Sequence, residues 1–526
     1  MKKLLSLFTA CLLAIAMATP ALAVDTSAEP VTRGVFAALI NQAYNFFTTD
    51  GKLFSDAGLE HPYAYEMMAA RRAGYLQGYP DGRCAPDTYI TRMEAAVMLD
   101  RVADLPPSDA GIQFSDARDI PGWATESVAS ACTNGLFTVN KDGAFEPNKP
   151  LTSAEADLAI AKASSIKGRP WYSKLIQTTS HDGFELTGRL CLPEGDETVG
   201  KVVVLVNGTG PSTYETKGLQ PPYRYKYYDY FADQFAAEHT AFFSYNTRGV
   251  QLTEENPYYT INWDVYGTYT PQNCAKDVVT FIKDIKDFKV TKDAEIVLLG
   301  WSEGAIVAPL AALEPDNGID ALLLAGYPDM NMKEILDWQL DGAQTLFYYT
   351  IAFDAEGQTS ITKAQYEADP YGVIGVSPLV YDMSFDELDA NKNDVIDVED
   401  FAGLPRAQLH QALLSAIERN DTEWIVQNFL PLPAGWFKAH FALGKTGDIL
   451  TKVRDMPIHI FQGTYDLNCP VQGAYDVQAQ FNALGLTNLQ VHVFDGLDHS
   501  LGFDYWLLSG ENSEGYTSIF DTARGL

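Results

Sequence analysis

The chain has 526 residues, 46% of them apolar, which gives it the length for more than one domain and excludes a disordered or fibrous protein. Its 69 acidic side chains against 37 basic ones leave a net charge of −32, which excludes nucleic acid as a partner and favours divalent cations. Six cysteines are too sparse for a disulfide-built scaffold, and a Cys84–Cys132 bridge is the one pairing left open.

Residues 1–23, MKKLLSLFTACLLAIAMATPALA, join Lys2 and Lys3 to an apolar run that ends in Ala21-Leu22-Ala23, the pattern of a cleavable signal peptide. The mature chain is then expected to begin near Val24 and to act outside the cell. No later stretch is long and apolar enough to span a membrane.

Residues 24–165 are built on a repeat. FSDAGLEHPYAYEMMAARRAGYLQGYPDGRCAPDTYITRMEAAVML from Phe54 aligns with FSDARDIPGWATESVASACTNGLFTVNKDGAFEPNKPLTSAEADLAI from Phe114, a period of 60 residues. The closing piece occurs three times, as VTRGVFAALI from Val31, ITRMEAAVML from Ile90 and LTSAEADLAI from Leu151. Each unit predicts a helix, a loop with an Asp-Gly turn and a second helix capped by threonine. The Phe-x-Asp start, the Gly78-Tyr79-Pro80-Asp81-Gly82 loop and the Thr91-Arg92-Met93-Glu94 helix start resemble the S-layer homology module. The resemblance implies an all-helical domain attached to a secondary polysaccharide of a bacterial cell wall, with Arg33 and Arg92 as contacts to its negative groups. The first unit lacks its front half and the motif glutamate, and the third has Ser153 where arginine is expected.

From about residue 172 the rhythm changes to apolar strands alternating with helical patterns, which predicts an α/β fold with a mostly parallel sheet. KVVVLVNGTGP, AFFSYNTRGV, EIVLLGWSEGA, ALLLAGYP, PIHIFQGTYD and LQVHVFDGLDHS each carry a strand into a loop. In open α/β sheets those loops bind ligands. Among them, Gly300-Trp301-Ser302-Glu303-Gly304 stands between a strand and the helical run AIVAPLAAL. The glycines suit a sharp turn that exposes Ser302 as a nucleophile.

A serine needs a base to take its proton, and the base needs a carboxylate to orient it. Only His492 and His499 follow every plausible acid loop. His492 alternates inside a strand, as a packed residue would, whereas His499 stands in the loop after that strand and is taken as the base. Asp466, in the turn after PIHIFQG, is favoured as the acid over Asp329, which follows the preceding strand, and over Asp498, which adjoins the histidine. The backbone N–H of Glu303 and one from Asn207-Gly208-Thr209-Gly210, with Thr209 preferred, would hold the oxyanion.

These pieces resemble the α/β-hydrolase family, in particular secreted esterases related to dienelactone hydrolases and the prolyl oligopeptidase catalytic domain. The resemblance covers residues 172–526, apart from the segment between about 330 and 450, and implies hydrolysis of carboxylic esters, carbohydrate-linked or not, through a Ser302–His499–Asp466 triad and an acyl-enzyme. It leaves a peptidase and a retired, non-catalytic hydrolase fold as alternatives. Asn207 stands where many relatives have histidine. Residues 330–450 exceed what one crossover needs, so their helical stretches 329–353 and 409–430 predict a cap over the site. Tyrosine-rich stretches at 221–231 and 256–270 are candidates for lining the cleft.

Within the cap, DANKNDVIDVED at 389–400 resembles an EF-hand or dockerin calcium loop. Asp389, Asn391, Asn393, the Val395 carbonyl, Asp397 and Asp400 fill its ligand positions, and Ile396 is the residue expected to pack inward. Asp394 replaces the usual glycine and Asp400 the usual glutamate. Calcium is therefore expected as a structural ion, and catalysis is expected to need no cofactor.

Overall fold

The computed structural model describes residues 29–108, 113–376, 383–401 and 405–526; the signal segment 1–23 lies outside them. The chain divides into two compact units, Met1–Arg169 with Gln220–Arg224, and Pro170–Leu219 with Tyr225–Leu526. No helix of the described residues is long and apolar enough to cross a membrane.

In the first unit the three threonine-led pieces start helices α1 (Arg33–Tyr44), α3 (Arg92–Ala103) and α5 (Ser153–Ile166), with α2 (Ala64–Arg72) and α4 (Thr125–Thr133) between them. Thr32, Thr91 and Thr152 each accept the backbone N–H three residues on, and Glu94 and Glu155 complete capping boxes. The residues just before these caps form a closed ring: Val31 N donates to Leu151 O (2.9 Å), Leu151 N to Ile90 O (2.9 Å), and Ile90 N to Val31 O (3.0 Å). The truncated first copy is thus the third side of a three-sided unit. The aspartates of the two Phe-Ser-Asp motifs hold the loops. Asp56 accepts from Cys84 N and Ala85 N (both 2.8 Å), and Asp116 accepts from Phe145 N (2.9 Å) and Glu146 N (2.8 Å).

Arg33 and Arg92 do not stand at a polymer-facing surface, as expected from sequence; they are 7% and 5% exposed. Arg33 donates to Cys84 O (3.0 Å) and Glu94 (2.9 Å). Arg92 donates to Phe145 O (2.9 Å), Thr138 O (2.9 Å) and Glu155 (2.7 Å) and lies over the Phe145 ring. Each guanidinium therefore reaches the capping glutamate of the next helix start, the planar multidonor task that suits arginine. The two departures from the repeat pattern belong to one contact. Ser153 lacks the arginine that would reach forward, and Val35 stands where the receiving glutamate would be. Cys84 and Cys132 are free thiols rather than a bridge, and burial pushes them up to about 12 and about 11.

The second unit is built on strands β1 (Trp171–Thr179), β2 (Glu185–Pro193), β3 (Lys201–Val206), β4 (Ala241–Tyr245), β5 (Glu295–Trp301), β6 (Ala321–Ala325), β7 (Ile458–Gly463) and β8 (Leu489–Phe494). They pair in the order β1-β2-β4-β3-β5-β6-β7-β8. β2 runs antiparallel to both β1 and β4, and the remaining pairs are parallel. This is the mostly parallel sheet that the alternating pattern predicts. β3, β5 and β6 are buried over nearly their whole length, as apolar runs covered on both faces must be. The register aligns Val206 with Gly300, Trp301 with Ala325, and Ala325 with Phe461, so the loops that follow all open at one edge of the sheet.

Helices α6 (Tyr227–Ala236), α7 (Pro271–Asp287) and α8 (Gly304–Ala312) precede the insertion. The insertion holds α9 (Met332–Leu340), α10 (Ala343–Ala352), α11 (Pro405–Glu418), α12 (Thr422–Asn428) and α13 (Ala434–Phe441). The helical stretches expected at 329–353 and 409–430 are each broken in two, at Gly342 (φ 103°) and at Asn420 (φ 57°). Leu336, Leu413 and Phe437 join the main core. Tyr349, Phe353, Ile361, Tyr366, Ile396 and Phe401 instead form a second core.

Arg92→Ala leaves the capping glutamate Glu155 and two loop carbonyls without their donor, and is expected to destabilise the first unit by about 3 kcal/mol. Hydrogen exchange on the full-length chain is then expected to quicken across α3 and α5 and to stay unchanged across β3 and β5.

Candidate active site

Ser302 leads from β5 into α8 with φ 57°, in the left-handed region that strains a non-glycine residue. Its N–H donates to Ala325 O (2.9 Å). A Cβ at Gly300 would lie 2.4 Å from Gly304 O, and one at Gly304 would lie 2.1 Å from Val206 O. Both glycines are therefore compulsory for a turn this tight, as the motif implied.

His499 Nδ1 lies 2.8 Å from Asp466 Oδ2. Asp466 is fully buried and also accepts from Asn468 N, Cys469 N and Gln462 Nε2, each at 2.8 Å. These donors fix the carboxylate in place. The Trp301 indole N–H donates to His499 O (3.1 Å), tying the histidine loop to the residue before the serine. A Cβ at Gly326 would lie 2.7 Å from His499 Cε1, so the imidazole packs against the residue that follows Ser302's backbone partner. The rivals are engaged elsewhere. Asp329 accepts from Tyr327 OH (3.3 Å) and Gly447 N (3.1 Å), and Asp498 from Ser500 N (3.1 Å) and its hydroxyl (2.7 Å). His492 Nε2 pairs with His459 Nδ1 at 3.1 Å across two strands, where burial and the neighbouring ring push His459 down to about 4.

The N–H groups of Glu303 and Thr209 have no acceptor among the described residues. Gly208 lies against the Trp301 carbonyl, where a Cβ would approach to 3.3 Å. Asn207 turns inward: its amide donates to Tyr245 O (3.0 Å) and accepts from Tyr228 OH (3.2 Å), so it anchors the loop.

Sequence reasoning missed the Glu303 side chain. It is 1% exposed and accepts from Tyr269 OH (2.6 Å) and Trp436 Nε1 (2.8 Å), with His440 Nε2 at 2.9 Å. Tyr269 OH in turn accepts from Gly210 N (3.3 Å). One buried carboxyl thus joins the nucleophile turn, the 207–210 loop and cap helix α13. The signal was present: a charged residue in an apolar strand-to-helix turn needs interior partners, and Trp436 and His440 stand four apart on one helix face.

Two cavities meet at Thr209. One, of about 200 Å³, is lined by Ser302 and by Met332, Ile335, Leu432 and Trp436 of the insertion. The other, of about 310 Å³, is lined by His499, Tyr225, Tyr227, Phe231 and Phe503. The tyrosine-rich stretch 221–231 supplies three of those walls, whereas Tyr266 and Tyr269 of the stretch 256–270 are in the core.

In the 389–400 loop Asp394 adopts φ 66°, taking the place of the usual glycine, and Ile396 is fully buried. Asp389 accepts from Asn393 N and Asp394 N (both 3.1 Å), Asp400 from Asn391 N (3.1 Å) and Asp397 N (2.7 Å), and Asp397 from the Asn393 amide (2.8 Å). The carboxylates of Asp389 and Asp400 are 6% and 3% exposed, yet neither has a cationic partner among the described residues. Such burial, with backbone N–H donors but no cationic side chain, fits a bound cation. Val395 and Ile396 pair antiparallel with Thr362 and Ile361. The latter pair belongs to a second stretch of the same spacing, with Asp354, Glu356 and Gln358 ahead of Ile361 but Gln365 in the last position.

The S-layer homology domain model matches residues 53–96 and 113–156. Over 124 residues the chain is 36% identical to cell surface glycoprotein 1 of Acetivibrio thermocellus, covering 22% of this chain and 5% of that one. Over 87 residues it is 37% identical to the cellulosome-anchoring protein of the same organism, covering 16% and 19%. Similar solved structures include a thermostable carboxyl esterase from Bacillus coagulans (15% identity, TM-score 0.38, 67% of this chain and 98% of that one) and Est1E from Butyrivibrio proteoclasticus (12%, 0.36, 67% and 96%). The chain thus carries S-layer homology units ahead of a mostly parallel α/β domain.

Glu303→Gln preserves shape but points an amide donor toward groups that need an acceptor, at a cost of about 1–3 kcal/mol. A roughly ten- to hundredfold fall in kcat/KM toward p-nitrophenyl butyrate is expected, with a smaller fall for Tyr269→Phe.

Proposed function

We propose that the protein is a serine hydrolase that cleaves carboxylic esters and is held at a bacterial cell wall by its S-layer homology units. The observation that carries the catalytic reading is the His499–Asp466 hydrogen bond, made by a fully buried carboxylate, with the His499 carbonyl tied to Trp301, the residue before a serine held at φ 57°. In this reading Ser302 Oγ attacks the ester carbonyl carbon while its proton passes to His499 Nε2. The oxygen that becomes negative takes the N–H groups of Glu303 and Thr209, which have no other acceptor among the described residues. The carbon–oxygen bond to the alcohol then breaks, and His499 returns the proton to the departing oxygen. Water, deprotonated by the same ring, attacks the acyl-serine, and the carboxylic acid leaves as Ser302 regains its proton. Asp466 keeps Nδ1 protonated and the ring aligned throughout.

The wall partner in this reading is a secondary polysaccharide, bound by surfaces of the first unit other than Arg33 and Arg92. For the 389–400 loop we propose a structural calcium ion held by Asp389, Asn391, Asn393, the Val395 carbonyl, Asp397 and Asp400. The ion would neutralise two buried carboxylates at the edge of the second core and so fix the shape of that part of the insertion.

Fluorophosphonate labelling and hydrolysis of p-nitrophenyl esters are both expected from the full-length protein and are expected to vanish in Ser302→Ala. Asp466→Asn is expected to lower kcat by about 10³–10⁴. Turnover of aminoacyl amides in preference to esters, or labelling that persists in Ser302→Ala, would overturn the assignment.

Chelation is expected to lower the melting temperature of the second unit, with a loss near 3 kcal/mol if calcium is at about a hundred times its Kd. Readdition of calcium restores it, and Asp389→Asn makes the melting temperature insensitive to chelator.

A further inference from the structure

We infer that the substrate joins an apolar acyl group of several carbons to an alcohol that bears an aromatic ring, the acyl group in the cap cavity and the ring in the aromatic cavity. This rests on the esterase reading above and adds the substrate class to it.

The orientation follows from proton delivery. In acyl transfer the base returns its proton to the departing oxygen, so the alcohol must leave on the side of the imidazole. The aromatic cavity is the one His499 lines, and the cap cavity is the one Ser302 lines. The acyl group that stays on Ser302 Oγ therefore occupies the space walled by Met332, Ile335, Leu336 and Leu432. Those four walls are apolar; Glu303 and Cys469 are the ionisable groups lining that cavity, neither of them a cation, and Glu303 already serves Tyr269 and Trp436. A carboxylate on the acyl chain would meet no cation there, so a neutral chain is selected.

The second cavity discriminates by ring chemistry. Its walls already pack edge to face: Tyr225 on Phe503 at 5.1 Å, Tyr227 on Phe503 at 4.9 Å, and Tyr227 on Phe231 at 5.1 Å. A guest ring extends that arrangement and gains about 0.5–1.5 kcal/mol beyond its buried area. A sugar gains less, because it brings no aromatic ring to stack and several of the hydroxyls lining the cavity are committed elsewhere. Tyr227 OH pairs with Tyr516 OH (2.6 Å), and Tyr228 OH donates to Asn207 (3.2 Å). Ser500 Oγ donates to Asp498 (2.7 Å), and Thr216 Oγ to Thr213 O (3.0 Å). Sugar hydroxyls entering here would give up water for few replacements.

The test is a crossed panel on the full-length enzyme: benzyl, cyclohexylmethyl and 6-O-glucosyl butyrates at fixed acyl group, and benzyl acetate, butyrate and octanoate at fixed alcohol. Benzyl butyrate is expected to exceed the cyclohexylmethyl ester roughly three- to tenfold in kcat/KM, and both to exceed the glucosyl ester. Phe503→Leu should bring the benzyl-to-cyclohexylmethyl ratio near one and leave the octanoate-to-acetate ratio alone. Met332→Trp should lower the octanoate-to-acetate ratio and leave the alcohol ratio alone. Because each readout is a ratio within one variant, partial loss of folded protein does not alter it, and Tyr225→Leu repeats the alcohol test from a second wall. Exchange of the two responses overturns the cavity assignment, and preference for the glucosyl ester overturns the aromatic one. Fluorophosphonate labelling of Ser302 with no ester turned over would instead sink the esterase reading, and this inference with it.

Discussion

A serine stands above this sheet because a carbonyl has nowhere else to go. Val206 O approaches the position a Cβ of Gly304 would take to within 2.1 Å, so α8 can begin against the end of β3 only at a glycine. That contact sets how close the nucleophile turn lies to the 207–210 loop. The parallel register of β3 with β5, which pairs Val206 with Gly300, supplies the framework that over-determines Ser302's left-handed backbone. Strain of this kind persists only where surrounding packing holds it, and here the holding strands are among the most deeply buried in the chain.

Glu303 extends that constraint outward. Its backbone N–H has no acceptor among the described residues, while its side chain is gripped from three directions by Tyr269, Trp436 and His440. A buried carboxyl with several donors is costly to disturb. Helix α13 and the Ser302 turn therefore share one electrostatic anchor, and the cavity lined by Ser302 has a wall whose position is not independent of that turn. Gly210, by way of Tyr269, brings the 207–210 loop into the same network.

Much of this was legible in the sequence because it is local or periodic. The strand-loop-helix pattern around Ser302, the threonine caps and the strand-end positions of Asp466 and His499 follow from neighbouring residues alone. The left-handed Asp394 and the inward Ile396 followed in the same way from the spacing of one loop. Arg33 and Arg92 were misplaced because an arginine at a helix start looks exposed until the glutamate some sixty residues later is brought beside it by the fold. Glu303's partners were hidden for the same reason, since Trp436 and His440 lie more than a hundred residues away. The helix breaks at Gly342 and Asn420 carried local signals, a glycine and an asparagine inside apolar-periodic runs, that periodicity alone outweighed.

The ring of hydrogen bonds through Val31, Ile90 and Leu151 changes what kind of repeat protein the first unit is. In an open solenoid each repeat touches its neighbours alone, so folding can start anywhere and spread, and end repeats can fray. A ring that joins the first copy to the last has no end repeat. Its oldest segment must wait, during synthesis, for a partner about 120 residues later in the chain, and loop closure over that distance is a cost met before the bond is gained. Such a unit should gain its stability in a single cooperative step, with the short first copy acting as the keystone rather than as a remnant.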